Sequence, residues 1–350
     1  MRYFSPILQT AHGHHPSPYL PPETGIIKLN SNENPYPPSP QAMHALQTIE
    51  GEWLRRYPDP YAQEFCAVAA NRLGIPENWL VVTNGCDELL SLLIRACAGP
   101  DRTIVYPTPT YGLYQTLTEL CGAALEEVAY GPDNALPVDQ LVDAAGALTL
   151  IASPNSPSGH QVPMADLRKL AASVSGILAI DEAYIDFAEG SALDLVHDYD
   201  HVIVLRTLSK GYSLAGLRFG FGIAQPTLLD GLLKLKDSYG VDEIAIHIAA
   251  AAMADQDYKD RCISKIKQSR AALTTALNQL GFHVPPSHGN FVLASHPRAQ
   301  AIDEALRAQG IWVRYFPISG LDNKLRITVG TPQQNQQLLD TLAAILTESI

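Results

Sequence analysis

Short apolar runs alternate with helical segments through the middle of the chain, and this alternation limits the fold more than any other feature. The apolar runs are Trp79–Thr83, Thr103–Tyr106, Leu148–Ala152, Ile177–Ile180, Val202–Leu205 and Phe219–Ile223. Helical periodicity lies between most of them, as in Cys86–Ala98 and Val162–Ala172. Strands that alternate with helices form mostly parallel sheets with helices on both faces. The sequence therefore predicts an α/β domain built on such a sheet.

The two ends of the chain depart from this pattern. The first 40 residues hold 9 of the 26 prolines. Proline removes a backbone donor and interrupts helices, so we predict an extended N-terminal arm over residues 1–40. After the long helical segment Lys259–Leu280, the strand-like and helical runs are Asn290–Ala294, Ala299–Gln309, Ile311–Arg314, Lys324–Val329 and Pro332–Leu346. We predict a large domain over residues 41–258 and a smaller α+β domain over residues 259–350.

The composition disfavours several classes of protein. There are 36 acidic and 24 basic residues, a net charge of −12, which disfavours non-specific nucleic-acid binding. No apolar run is long enough to span a bilayer, and the N-terminus lacks the apolar core of a signal peptide. The five cysteines form no CxxC pair, which favours a reducing compartment. We expect a soluble cytoplasmic protein with neither a nucleic-acid nor a membrane partner.

Three histidines near the N-terminus, His12, His14 and His15, are close together in sequence. No carboxylate or cysteine that could complete a metal site lies near them. We interpret them as part of a solvated arm and predict no metal site.

Polar residues of unusual type directly follow the apolar runs. Asn84–Asp87 follows the first run, PTPTYG the second and SPNSPSG the third. Asp181–Tyr184 follows the fourth run and Arg206–Lys210 the fifth. Ligands of open α/β sheets bind beyond the carboxyl ends of the strands. We therefore expect these segments to converge on one crevice.

The groups in this crevice suit a phosphorylated cofactor that carries an aldehyde. Free N–H groups at the start of a helix bind phosphate, and hydroxyl and guanidinium groups add donors. Those predicted donors are Gly85, Cys86, Thr207, Ser209 and Arg218. A lysine such as Lys210 forms Schiff bases, and a carboxylate such as Asp181 can keep a pyridine nitrogen protonated. Taken singly, Lys210 also fits a solvated surface and Asp181 a helix N-cap, but together they favour pyridoxal phosphate.

Nine segments of the chain match one known family in both order and spacing. They are LNSNENPYPPSP, RYPDP, TNGCDE, PTYG, SPNSPSG, DEAYIDF, TLSKGYSLAGLRFGF, KDSYGVD and LRITVG. Together they extend from about Leu29 to Gly330, which is nearly the whole chain. The chain resembles the fold-type-I pyridoxal-phosphate aminotransferases, and its LNSNENPYPPSP segment resembles their histidinol-phosphate group more narrowly.

This resemblance implies a role for each matching residue. Lys210 would carry pyridoxal phosphate as a Schiff base and transfer the substrate proton, while Asp181 would pair with the ring nitrogen. Tyr184 and Asn155 would bind the ring hydroxyl, and Tyr111 would stack on the ring. The remaining cofactor contacts would be Gly85, Cys86, Asp87, Thr207, Ser209, Arg218 and, from the second subunit of a homodimer, Tyr57. The substrate contacts would be Tyr36, Asn155, Arg314 and Arg326.

The reaction implied by the resemblance is reversible transamination between L-histidinol phosphate and 2-oxoglutarate, which yields imidazole acetol phosphate and glutamate in histidine biosynthesis. Two alternative enzymes stay open, namely a decarboxylase of a phosphorylated amino acid and an aromatic aminotransferase of broad range. The net charge of −12 disfavours a further alternative, a non-catalytic regulatory domain that binds pyridoxal phosphate. The chain also departs from the family pattern. Ser156 and Ser158 stand where the family often has asparagine and threonine, and Gly240 stands where it has asparagine. We expect Ser156 and Ser158 to alter a loop and Gly240 to affect the substrate side of the site.

Overall fold

The computed structural model describes residues 3, 6–9, 13, 21, 25–99 and 101–347, so His12, His14 and His15 lie outside the described residues. The strands are β1 Ile27–Lys28, β2 Leu80–Thr83, β3 Thr103–Thr108, β4 Ala124–Ala129, β5 Leu148–Ala152, β6 Ile177–Asp181, β7 Val202–Thr207, β8 Gly220–Ile223, β9 Phe291–Ser295, β10 Ile311–Trp312, β11 Arg314–Tyr315 and β12 Lys324–Thr328. The helices are α1 Pro40–Gln47, α2 Gly51–Leu54, α3 Gln63–Leu73, α4 Cys86–Cys97, α5 Leu113–Leu120, α6 Val138–Asp143, α7 Met164–Ser173, α8 Leu195–Asp198, α9 Pro226–Leu233, α10 Glu243–Ala254, α11 Gln256–Gln279, α12 Ala299–Ala308 and α13 Pro332–Thr347. Within these described ranges, no helix is both long and apolar enough to cross a membrane.

A seven-stranded sheet forms the centre of the fold, with the strand order β2-β8-β7-β6-β5-β3-β4. The pairs between β7 and β4 are parallel, and β8 pairs antiparallel with both β2 and β7. The predicted α/β fold with a mostly parallel sheet is therefore confirmed. The edge strand β4 is missing from the predicted strands because its sequence, ALEEVA, is largely exposed and carries two glutamates.

Helices cover both faces of this sheet, which explains why its inner strands are apolar throughout. All five residues of β5 are buried. On one face, α4 contributes Leu89, Leu93 and other buried residues to a cluster with inward side chains of the strands. On the other face, α3 packs against α10, and both bury their apolar sides. The sheet is thus held rigidly, and it fixes the positions of the loops at its carboxyl edge.

The C-terminal part forms a second hydrophobic core around an antiparallel sheet of β11, β12 and β9. The expected strand Ile311–Arg314 is wrong as one element. It is two strands, because β10 pairs with β1 whereas β11 pairs with β12, and the fully buried Val313 separates them. Leu29, which directly follows β1, also belongs to this second core. The domain limits at residues 40 and 258 stay a proposal.

Candidate active site

Hydrogen bonds join loops that follow different strands at the carboxyl edge of the sheet. Asp87, after β2, accepts hydrogen bonds from the Tyr111 hydroxyl at 3.1 Å and from Arg218 Nη2 at 3.2 Å. Thr110, after β3, donates to Asn155 Oδ1, after β5, at 2.7 Å. The loops expected to form one crevice are therefore in contact with one another.

Asp181 is the last residue of β6 and is 6% exposed. The Tyr114 hydroxyl donates to its Oδ2 at 2.8 Å, and the Ala183 N–H donates to its Oδ1 at 3.0 Å. Burial raises the pKa of Asp181 from 3.8 to about 6, although these two hydrogen bonds act to lower it. Among the described residues, no basic side chain lies within 4.0 Å of this carboxylate. A buried acid without a basic partner suits a cationic ring nitrogen supplied by a ligand.

The raised pKa of Asp181 predicts how the ligand-free protein responds to pH. Between about pH 4 and pH 6 the folded chain keeps a proton on Asp181 that the unfolded chain has released, so stability falls as pH rises. Asp181→Asn does not titrate there. The unaltered protein should therefore lose about 2 kcal/mol of unfolding free energy between pH 4 and pH 7 that the Asp181→Asn variant does not lose. Urea unfolding of the ligand-free proteins at both pH values measures this loss, and a pH-independent difference would contradict it.

Lys210 is held by a segment close to the N-terminus. Its Nζ donates to the Ser31 carbonyl at 3.1 Å and lies 5.8 Å from the centre of the Tyr184 ring. Asn34 Nδ2 donates to the Lys210 carbonyl at 3.0 Å, and Asn32 Nδ2 donates to the Tyr184 hydroxyl at 2.9 Å. Sequence reasoning used this segment to recognise the family and assigned its asparagines no role. Their alternate spacing, Asn30, Asn32 and Asn34, was the available signal.

The start of α4 and the turn before β8 form a compact cradle. Gly85 has a φ of +77°, and a Cβ there would lie 2.6 Å from Arg218 Nη2. Gly220 is equally constrained, because its Cβ would lie 2.5 Å from the Cys86 nitrogen. The buried Cys86 thiol donates to the Arg206 carbonyl at 2.9 Å, so Cys86 can offer the cradle its N–H but not its side chain. A helix start beside a guanidinium is a donor set that fits phosphate.

Ser209 and Thr207 complete the strand end beside this cradle. The Ser209 N–H donates to Thr207 Oγ1 at 3.1 Å, and Thr207 Oγ1 donates to the Phe219 carbonyl at 3.0 Å. Both residues are buried. Thr207 uses its one hydroxyl hydrogen within the fold, so the Ser209 hydroxyl, 2.9 Å from Thr207 Oγ1, is the side-chain donor that this strand end can offer a phosphate.

Arg326 and Arg314 form a cationic pair on neighbouring strands, since they lie opposite each other in the β11–β12 register. Arg326 donates from Nη1 to Ser156 Oγ at 2.9 Å and from Nη2 to the Asn30 carbonyl at 3.0 Å, while its buried Nε has no partner among the described residues. Burial lowers the pKa of both arginines. No carboxylate of the described chain lies within 4.0 Å of either guanidinium. Opposed like charges are destabilising, which indicates a site for an anionic ligand.

Three predicted site residues lie away from these groups or have their side chains otherwise engaged. Asn155 is fully buried, and both its side-chain amide and its carbonyl oxygen bind neighbouring loop atoms. Tyr36 packs on the second core, with Lys265 Nζ 5.2 Å from its ring centre. Tyr57 is 80% exposed and stacks on Tyr239 at 4.5 Å between ring centres.

Tyr114 is a site residue that sequence reasoning missed. It is fully buried in α5, and its ring meets that of Tyr111 edge to face at 5.7 Å between centres. Its hydroxyl contacts Asp181 directly. The available signal was its position three residues after Tyr111, just inside the helix that begins at Leu113.

Comparison with known proteins agrees with this architecture. Residues 24–342 match the family described as Aminotransferase class I and II, and the chain belongs to that family. More narrowly, it is 57% identical to Histidinol-phosphate aminotransferase 1 of Trichormus variabilis over 346 residues, 98% of this chain and 99% of that protein. It is 42% identical to Histidinol-phosphate aminotransferase of Citrifermentans bemidjiense, covering 90% of this chain and 91% of the relative.

A solved structure gives the same result for the fold. The crystal structure of histidinol-phosphate aminotransferase from Sinorhizobium meliloti in complex with pyridoxal-5'-phosphate has a TM-score of 0.91 to this chain at 25% identity. The match covers 100% of this chain and 99% of that one. The family resemblance stated from the sequence is therefore confirmed.

Proposed function

We propose that this chain transfers the amino group of L-histidinol phosphate reversibly to 2-oxoglutarate, yielding imidazole acetol phosphate and glutamate in histidine biosynthesis. The observation that carries the proposal is the position of Arg326 relative to Lys210. They donate to the carbonyls of adjacent residues, Asn30 and Ser31, so an anion site adjoins the reactive amine. The 57% identity to the Trichormus variabilis relative supports the choice of substrate.

The residues of the site fit pyridoxal phosphate as the cofactor. The cradle of Gly85, the Cys86 N–H, Ser209 and Arg218 would hold its phosphate, and the buried Asp181 carboxylate would keep its ring nitrogen protonated. When bound, the cofactor supplies an aldehyde for the substrate amine and a ring that stores the electron pair released at the substrate carbon.

The chain's own residues provide binding and proton transfer. Lys210 Nζ would bind the cofactor covalently and, once released, would take the proton from the substrate carbon and return it to the cofactor. Arg326 would bind the phosphate of one substrate and a carboxylate of the other, because its planar fork of N–H groups suits both anions. Arg314, on the neighbouring strand, would add charge to the phosphate side.

The substrate assignment predicts a strong preference for a phosphorylated amino donor. A hydrogen bond to a charged group contributes about 1.5–3 kcal/mol, so loss of the phosphate contacts should lower kcat/KM by about 100-fold or more. Glutamate formation from 2-oxoglutarate, measured with L-histidinol phosphate, phenylalanine or tyrosine as donor, tests this. Comparable rates with phenylalanine would identify an aromatic aminotransferase instead, and CO₂ release would identify a decarboxylase.

We further propose a cytoplasmic homodimer in which Tyr57 reaches the site of the neighbouring subunit. Tyr57 is exposed, as are Leu54 and Tyr61 close to it in sequence. Tyr57 stacks on Tyr239, which directly precedes Gly240. The Gly240 carbonyl accepts a hydrogen bond from Asn84 Nδ2 at 3.4 Å, and Asn84 directly precedes Gly85 of the phosphate cradle. All five cysteines are free thiols, which supports a reducing compartment.

The homodimer predicts complementation between two impaired variants. Lys210→Ala and Tyr57→Ala subunits, assembled together, should form mixed dimers with one complete site, since Tyr57 would come from the Lys210→Ala subunit. Random assembly should restore about one quarter of the unaltered activity. Lys210→Ala mixed with Asp181→Ala is the matched control, because both groups serve one subunit's site and no complete site can form. Equal activity in the two mixtures would contradict a role of Tyr57 across subunits.

A further inference from the structure

A cavity of about 350 Å³ is lined by residues from the carboxyl ends of β6 and β7, the end of α3 and the start of α11. Pockets of this size hold small molecules, and the volume exceeds that of a single water many times. Of the predicted site residues only Thr207 lines it, and Asp181, Lys210 and Arg326 do not. The cavity therefore adjoins the crevice of the candidate active site but is separate from its reactive groups.

Asp186 presents a carboxylate with unused acceptor positions to this cavity. Its side chain is 15% exposed and accepts no hydrogen bond from any described residue. Its ion pair with Lys259 is loose, because Oδ1 lies 3.6 Å from Nζ, farther than a hydrogen bond reaches. A mostly buried carboxylate normally accepts hydrogen bonds, since an unsatisfied buried acceptor is costly. Asp186 therefore suits a ligand that brings its own donors, such as an ammonium group.

Three other groups of the lining can donate to a ligand anion. Lys259 is 13% exposed, and its ammonium has three N–H groups for the two carboxylates within 4.0 Å. The Tyr212 hydroxyl donates to Met253 Sδ at 3.4 Å, and a thioether is a weak acceptor, so a carboxylate would be the better partner. Arg72, near the end of α3, is exposed and forms no ion pair with a described residue.

The remainder of the lining is largely apolar or already paired. Arg206 Nη2 lies 3.0 Å from Glu182 Oε2, so these two charges neutralise each other. An apolar ligand body would remove the apolar wall from water, which is favourable. The apolar residues of the lining are Leu73, Ile185, Phe221 and Met253. A ligand with an ammonium group, a carboxylate and an apolar body therefore matches all parts of the cavity.

Asp186 also connects the cavity to the segment that carries the reactive amine. It packs directly on Gly211, since a Cβ at Gly211 would overlap its Oδ2. Gly211 directly follows Lys210 in the sequence. A ligand bound to Asp186 would therefore contact the Lys210 segment through one intervening side chain.

We propose that this cavity binds a free α-amino acid with an apolar side chain. Its ammonium group donates to Asp186, and its carboxylate accepts from Lys259, Tyr212 and Arg72. Its side chain covers the apolar wall. This is a second ligand site, beside the crevice in which the substrate reacts.

Cycloleucine tests the proposal without turnover. This α-amino acid has a cyclopentane ring in place of a side chain, and its α-carbon bears no hydrogen, so it cannot be transaminated. The protein loaded with pyridoxal phosphate is first reduced with borohydride, which leaves the cofactor no carbonyl for the probe amine. Calorimetric titration should then show binding of cycloleucine at one site per chain. Cyclopentanecarboxylate, which lacks the amine, should bind about 10-fold or more weakly.

Two variants separate the recognition of the ammonium group from that of the carboxylate. Asp186→Asn should raise the Kd of cycloleucine by about 10-fold or more and leave that of cyclopentanecarboxylate within about 2-fold. Arg72→Gln, a change at an exposed position that leaves the fold intact, should weaken both probes by about 3-fold. Arg95→Gln, also at an exposed arginine in the last turn of a helix, is the matched control and should change neither Kd.

Arg326→Gln distinguishes the cavity from the substrate crevice. Arg326 does not line the cavity, so this variant should keep the Kd of cycloleucine within about 2-fold of the unaltered value. Loss of binding in Arg326→Gln would place the probe in the crevice and overturn the proposal. Equal Kd values for the two probes, or a Kd of cycloleucine that Asp186→Asn leaves unchanged, would overturn it as well.

Discussion

Replacement of Lys210 by alanine is expected to lower kcat by at least about 10³-fold, since general acid–base catalysis alone contributes about 10²–10⁴-fold. The change also removes the amine that would bind the cofactor covalently. Borohydride reduction followed by mass spectrometry should therefore find pyridoxal phosphate attached to the unaltered chain but not to Lys210→Ala. Lys210 is half-buried, with its Nζ 3.1 Å from the Ser31 carbonyl.

Lys210→Arg is the matched control for charge. Arginine keeps a cation at this position but stays protonated, so it can neither form the covalent bond nor accept the proton. It should lose as much activity as the alanine variant. A borohydride-trappable cofactor in Lys210→Ala would show that another amine carries it and would refute the role assigned to Lys210.

Replacement of Asp181 by alanine is expected to lower kcat by at least about 100-fold. The ring nitrogen of the cofactor would lose its buried ionic partner, and loss of one member of a buried ion pair costs about 3–5 kcal/mol. The substitution also leaves the Tyr114 hydroxyl without its acceptor in a fully buried place. Single-turnover rates with the cofactor bound measure the effect on the chemical step.

Tyr114→Phe separates the effect of the Asp181 charge from the effect of the Tyr114 hydrogen bond that holds its carboxylate. This variant keeps the carboxylate and removes one hydrogen bond to it, so kcat should fall by about 10-fold or less. If Asp181→Ala retained more than about half of the unaltered kcat, the carboxylate would not be paired with a catalytic cation. Equal losses in both variants would assign the effect to packing around α5.

The sequence predicted those features that depend on local pattern. The inner strands were recognisable because burial on both faces makes them continuously apolar, as in β5. Asp181 and Lys210 were recognisable because Asp181 ends one buried strand and Lys210 follows another, where ligands of α/β sheets bind. The edge strand β4 was not, because exposure gives it the composition of a surface segment.

The contacts made by tertiary structure could not be predicted in the same way. The segment with Ser31, Asn32 and Asn34 is far in sequence from Tyr184 and Lys210, and no periodicity connects them. Asn155 and Ser156 show the same limit on a smaller scale. A motif places both in one loop, but which side chain faces the site depends on the turn and on the loop beside it. Family resemblance therefore selected the larger amide, whereas the structure turns the serine toward Arg326.

The central claim is most directly tested by a single half-reaction. Protein loaded with pyridoxal phosphate is mixed with L-histidinol phosphate in the absence of any keto acid, and its visible spectrum is followed. The proposed function predicts that the absorbance of the bound aldehyde is replaced by that of pyridoxamine phosphate, and that 2-oxoglutarate then restores it. A spectrum unchanged by histidinol phosphate, but bleached by another amino acid or accompanied by CO₂ release, would contradict the proposed substrate.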